Sequence, residues 1–183
     1  MEVFKFLEFV SRLKHLPRKG WVIKGIESPE TVAGHMYRMA MSAFLLPRDM
    51  NIQKIIKMAL VHDLSESIVG DITPCDKVLP ERKRQLEARA MNEILKCVPQ
   101  WSQEEILSLW EEYENLSSSE ALLVKDLDKF DMILQGFEYE KSQKRDLSDF
   151  FEGLHIFHTD LIRSWALIVY TEREKYKSSM PSS

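Results

Sequence analysis

Apolar side chains recur at helical spacing over almost the whole chain, and no segment alternates apolar and polar residues as a half-buried strand does. A chain patterned this way buries its hydrophobic faces by laying helices against helices, so an all-α fold is expected. With 6 Gly and 7 Pro in 183 residues, a collagenous or low-complexity chain is excluded. At this length roughly 70% of the unfolded surface can be buried. No internal repeat or Gly/Ser-rich linker divides the sequence. One domain is expected over residues 1–176, with a short flexible tail, KSSMPSS, over 177–183.

Caps and breakers place the individual helices. MEVFKFLEFVSRLK puts Phe6, Val10 and Leu13, with Val3, Leu7 and Phe9 beside them, on one broad apolar face. Pro17, Gly20 and Gly25 make HLPRKGWVIKGIES a loop without regular helix. Ser28, Pro29 and Glu30 read as N-cap, first helical position and first-turn acid, predicting a helix over 29–46 that Pro47 stops. A third helix is expected over 52–64, with Ile55, Ile56, Ala59 and Leu60 inward, followed by the turn-rich VGDITPCDKVLP. A fourth, over 81–97, buries Leu86, Ala90 and Ile94 and leaves the charge run Glu81–Arg84 in solvent. Ser102 with Glu105, and Ser117 with Glu120, match the capping box and place helices over 103–113 and 118–141. The last helix is expected over 159–175, with Leu161, Trp165, Ile168 and Val169 on one side.

A net charge of −4 provides no global basic field for a nucleic acid polymer, though a local cluster can bind a small phosphorylated ligand. Cys75 and Cys97 form neither a disulfide framework nor a metal knuckle and read as reduced thiols. The charged first helix is unlike a signal peptide, and no stretch approaches the ~20 apolar residues of a membrane span. A cytoplasmic protein without membrane partners is the expectation.

Three segments put metal-ligating side chains where packing alone favours apolar ones. His35 sits within ETVAGHMYRMA among Val32, Met36 and Met39. His62 and Asp63 end an apolar helix in LVHDLSE, and Asp128 lies beside the stripe of Leu123, Leu127, Phe130 and Leu134. Burying a carboxylate there costs several kcal/mol unless it is paired or bound to a cation. Imidazole with carboxylate suits a first-row divalent ion. Adjacent helical residues point ~100° apart, so His62 and Asp63 can share one ion only where it caps a helix end. Each residue alone has an ordinary reading, a core histidine or an ion-paired aspartate. The spacing shifts the balance: His35 precedes His62 by 27 residues, and Asp128 follows Asp63 by 65.

This H…HD…D pattern resembles that of the HD-domain metal-dependent phosphohydrolases. The resemblance extends to PRKGW, ESPETVAGHMYRMA, ALVHDLSESIVGDITP, LWEEYE and VKDLDKFDMILQ, from about residue 3 to 170. It implies one divalent ion (Mn, Co, Mg, Fe or Zn) on His35, His62, Asp63 and Asp128. It also implies that Glu66 and Asp71 of HDxxExxxGD serve catalysis or bind a second ion with the carbonyl of Ile72. Glu66 lies one turn beyond His62 and can face the same cavity. The reaction implied is hydrolysis of 2′-deoxynucleoside 5′-monophosphates, by a chain that commonly forms homodimers.

Arg18, Lys19 and Trp21 are the substrate candidates, Arg as a fork for phosphate oxygens and Trp as a face for sugar or base. Bacterial relatives place the Arg next to the Trp, whereas Lys19 and Gly20 separate them here. His15, His155 and His158 read as structural or surface histidines, and Met36, Met39 and Met41 as core filler. Asp126 and Asp131 compete with Asp128, which the family pattern favours. Trp101, Trp110 and Tyr113 suit either an interface or the chain's own core. Three other readings remain: a phosphohydrolase of another nucleotide, a non-catalytic nucleotide-binding module, and a helical interaction protein with an incidental metal.

Overall fold

The computed structural model describes residues 2–179, and among them there is no strand, only an isolated bridge between Pro17 and Thr31. Among the described residues nine α-helices follow one another: α1 (Glu2–Leu13), α2 (Lys19–Ile23), α3 (Val32–Ser42), α4 (Ile52–Ala59), α5 (Glu66–Val69), α6 (Pro80–Leu95), α7 (Gln100–Asn115), α8 (Ser119–Gln143) and α9 (Asp160–Ser179). The longest, α8, is the hub, with α3, α4, α7 and α9 packed on it. One apolar cluster fills that centre through Met39, Ile55, Met58, Leu127, Ile133 and Ile162. A second, through Leu13, Met36, Leu64, Met91, Ile94 and Trp110, joins α1, α3, α6 and α7. The site is built where both clusters meet along α3.

Several boundaries differ from the sequence expectation. The segment 16–28 contains one short helix, α2, which carries Trp21 into a small apolar group with Ile26, Tyr139 and Leu147. Ser28 does not cap α3; its φ of 48° turns the chain, and the Thr31 side chain instead accepts the Gly34 N–H at 3.1 Å. The helix expected over 52–64 stops at Ala59, and the chain continues through turns over 60–65 before α5. Leu60, expected inward, is therefore largely exposed. Gly70 ends α5 with φ 77°, a conformation that suits glycine.

Pro99, not Ser102, precedes α7, and Ser118 rather than Ser117 caps α8 by accepting the Ala121 N–H. The buried face of α9 is Ile162, Ala166, Val169 and Arg173, with Ile168 in solvent. On α1 only Leu13 is buried, and Val3, Phe4 and Leu7 are exposed. Part of the expected tail, 177–179, is helical, and 180–183 lie outside the described residues. Trp101 is exposed, whereas Trp110 and Tyr113 are buried, so the aromatic trio is not one surface. Among the described residues no helix is long and apolar enough to cross a membrane.

Candidate metal centre

Elements far apart in sequence converge on one point. His35 comes from α3, fully buried beside Met36 and Met39. His62 and Asp63 come from the turns between α4 and α5 rather than from a helix end. There the Val61, Leu64, Glu66 and Ser67 N–H groups donate to carbonyls three residues back, a tighter winding than α. This winding brings the adjacent side chains together, with His62 Nε2 and Asp63 Oδ2 3.1 Å apart. Asp128 projects from α8 toward the same point.

Both imidazoles are held from behind. His35 Nδ1–H donates to Asp131 Oδ2 at 2.6 Å, and His62 Nδ1–H donates to the Ala59 carbonyl at 2.9 Å. Asp131 is braced in turn by Arg38, which also pairs with Glu138 at 2.9 Å. Each ring is left with Nε2 aimed inward, and both Nε2 atoms are buried without a hydrogen-bond partner. His35 Nε2 lies 3.2 Å from Asp128 Oδ1 and 3.9 Å from Asp63 Oδ2. One ligand atom each from His35, His62 and Asp128 falls within 4.8 Å of the others. Two orphaned buried nitrogens facing two carboxylates are what a divalent cation completes, so the donor set fits such an ion.

Charge is balanced by close pairing. Burial and the Arg18 charge act to lower the His35 pKa, yet the facing carboxylates Asp128 and Asp131 outweigh them and lift it to about 9. Burial works to raise Asp63 and Asp128, but His62 and Arg18 for the first, and Lys125, His35 and Arg18 for the second, hold both below the usual carboxylate range. Glu66, the first residue of α5, behaves in the opposite way. Burial, then the charges of Asp63 and Asp71, push its carboxyl well above the usual range, and its Oε2 has no partner. Two carboxyl groups three residues apart are thus shifted in opposite directions.

The substrate candidates are placed unequally. Arg18 lies over the acidic pair, 3.5 Å from Asp63 Oδ2 and 3.6 Å from Asp128 Oδ1, with its side chain 15% exposed. The Lys19 backbone N–H donates to Asp71 Oδ2 at 2.7 Å, and its Nζ pairs with Asp76. Trp21 offers no open face: it is 2% exposed, stacked against Phe150 and donating Nε1–H to Glu30 at 2.9 Å. The compact ligand groups among the described residues are His35–His62–Asp128 and Glu30–His35–Asp131; Asp63, Glu66 and Asp71 fall outside both, although Asp63 Oδ2 stays within 3.1 Å of His62 Nε2 and 3.9 Å of His35 Nε2. Ile72 lies beside Asp71 in the loop before Pro74.

Asp126 is not at the centre; it accepts the His158 and Thr159 N–H groups at 2.9 and 2.7 Å, ahead of α9. His15 and His155 are exposed, and exposed His158 meets Asp126 through Nδ1 at 2.9 Å.

Two further residues reach the site. Tyr113, within LWEEYE, packs its ring 4.8 Å from that of His62. Lys83, read with its neighbours as a solvated charge run, is half-buried, 3.6 Å from Glu87 and within electrostatic reach of Glu66 and Asp63. Its signal was its spacing from Glu87, which puts the two on one helical face.

The sequence matches the HD domain model over residues 10–162. The chain belongs to the HD-domain family. HD-domain proteins with similar sequences include one of Dictyostelium discoideum named 5′-deoxynucleotidase HDDC2, 46% identical over 93% of this chain and 97% of its own length. Another, from Schizosaccharomyces pombe and named 5′-deoxynucleotidase hdd1, is 42% identical, with 98% of this chain and 94% of the relative covered. Among solved structures, the PH0347 protein of Pyrococcus horikoshii superposes with a TM-score of 0.76 at 32% identity, covering 92% of this chain and 96% of that one. Membership of the HD-domain family implies a divalent metal ion, in agreement with the donor set.

Proposed function

We propose that this chain is a metal-dependent 5′-deoxynucleotidase, a phosphoric monoester hydrolase releasing phosphate from 2′-deoxynucleoside 5′-monophosphates. The observation that carries the reading is the pair of buried, unpartnered Nε2 atoms of His35 and His62, aimed at Asp63 and Asp128 beside the buried Glu66, whose Oε2 also lacks a partner. The names of the relatives supply the substrate class.

His35, His62, Asp63 and Asp128 would hold the ion. When bound, such an ion acidifies a water and offsets charge on the phosphate. Arg18 presents two donors at the mouth of the site, and moving from Asp63 and Asp128 to the non-bridging phosphate oxygens exchanges one anionic partner for another. The Asp63 carboxylate, kept ionised, can accept a hydrogen bond from the attacking water and fix its direction. Glu66, whose burial favours the protonated form, would give its proton to the leaving 5′-oxygen, which departs as an alcohol. Asp71 holds the Arg18–Lys19 loop in place through the Lys19 N–H.

The test is phosphate release from a panel of deoxy- and ribonucleoside 5′-monophosphates with Mn²⁺, Co²⁺ or Mg²⁺ supplied in turn, and Asp63→Ala as control. Metal-dependent release, faster on the deoxy compounds and lost in the variant, is expected. Release that persists in Asp63→Ala, or none with any metal and nucleotide, would overturn the reading.

A further inference from the structure

The two oxygens of Asp128 face different surroundings. Oδ1 looks into the centre, 3.2 Å from His35 Nε2. Oδ2 is turned away and accepts two hydrogen bonds, from Tyr113 O–H at 3.1 Å and from Lys125 Nζ at 3.1 Å. The two donors also meet each other, since Lys125 Nζ donates to the Tyr113 hydroxyl at 2.9 Å. Nζ, phenol oxygen and carboxylate oxygen thus close a triangle. Tyr113 is 5% exposed and comes from α7, which supplies none of the candidate ligands. Lys125 stands one turn before Asp128 on α8, and its ammonium also lies 5.0 Å from the centre of the Tyr113 ring.

We infer that Tyr113 and Lys125 are positioning residues that hold Asp128 as a one-oxygen ligand. They occupy Oδ2 and so leave only Oδ1 to the ion; in the same contact the Tyr113 ring fixes the tilt of His62. A free aspartate can swing both oxygens onto a cation or rotate away from it, and the triangle removes both freedoms. Three of the four candidate ligands are then supported from behind. Asp131 backs His35, the Ala59 carbonyl backs His62, and Tyr113 with Lys125 backs Asp128. Outer partners of this kind typically govern metal affinity by about 10–100-fold.

This inference rests on the metal centre proposed above, and its test reads the metal directly. The full chain is stripped of metal and titrated with Co²⁺, following the visible absorption bands of the bound ion. Tyr113→Phe, Lys125→Met and the double variant are compared with wild type, and each also in an Asp128→Asn background. Far-ultraviolet circular dichroism of the stripped proteins checks the fold. Tyr113→Phe keeps the ring and Lys125→Met keeps the stem, so two independent variants carry the answer.

The expected result is Co²⁺ binding weakened about 10-fold or more in each single variant, with shifted absorption bands. In the Asp128→Asn background, titrated to higher Co²⁺, the same substitutions should have a much smaller effect, because an amide held by its oxygen to Tyr113 and Lys125 has no oxygen left to turn toward the ion. Wild-type affinity and spectrum in both single variants would overturn the positioning role while leaving the metal centre standing. An undiminished effect in the Asp128→Asn background would overturn it too, by showing that the pair acts elsewhere. Failure of wild type itself to bind Co²⁺ would sink the metal centre and this inference together.

Discussion

Glu66 and Asp63 lie three residues apart, yet their surroundings push the Glu66 carboxyl up and hold the Asp63 carboxyl down, and this difference is the chemical resource of the site. If Glu66 supplies the proton for the leaving oxygen, Glu66→Gln should lower turnover by about 10²–10⁴-fold, the range for a positioned acid. Co²⁺ binding at the first ion should be retained, because Glu66 is not among the four proposed ligands His35, His62, Asp63 and Asp128. Phosphate release and bound-metal content, measured on the same sample, check both halves; full turnover in the variant removes Glu66 from the mechanism. At this scale much was legible in the sequence. His35, His62 and Asp128 stood out because their types conflict with the apolar neighbours around them, and the structure brings them together. Trp21 did not, since an indole in a loop reads alike whether its face is open or covered. What covers it are Tyr139 and Phe150, more than a hundred residues away in the chain.

Among the elements, α8 and α9 form the most extensive helix pair, and a buried ion pair fastens them. Arg173 Nε and Nη2 donate to Glu140 at 2.6 and 2.7 Å, while the guanidinium lies 3.7 Å from the centre of the Phe151 ring. Arg173→Met strands a buried carboxylate and should cost about 3–5 kcal/mol, read from the urea midpoint. A loss below 1 kcal/mol would show that Glu140 finds other partners. Helix existence was readable from periodicity throughout, and the ends were less so. Ser28 and Thr31 both satisfy the preference for a hydroxyl at the N-cap, and only tertiary contacts choose between them. The Pro17–Thr31 bridge keeps the chain extended up to Thr31, so the helix starts there. Likewise 52–64 is apolar enough to continue as α-helix, but the turns after Ala59 are what bring His62 and Asp63 together. Local propensity is blind to that requirement.

For the molecule as a whole, metal and protons should both act on stability. An ion held at about a hundred times its dissociation constant adds about 2.7 kcal/mol to the folded state. Stripping it with a chelator should therefore lower Tm by roughly 5–10 °C in a chain of this length; an unchanged melting curve would speak against the centre. Glu87 supplies the pH term. Burial pushes its carboxyl from an ordinary 4.5 up to about 7, against the pull of Lys83. Between those values the folded chain keeps a proton there that the unfolded chain has lost, so this group's contribution falls as pH rises through the window. Glu87→Gln should remove this group's share of the slope, to which the raised Glu66 also contributes, raising the urea midpoint at pH 8 relative to wild type and leaving it nearly unchanged at pH 4.5. The scattering of the candidate ligands along the chain has a consequence for biosynthesis. His35 and Asp131 are hydrogen-bonded across 96 residues, and no local segment contains more than two of the proposed ligands. A nascent chain therefore has nothing but a His–Asp dipeptide and an isolated histidine to offer until α8 has left the ribosome. The proposed centre can therefore form only once Asp128 has emerged and α3 docks onto α8.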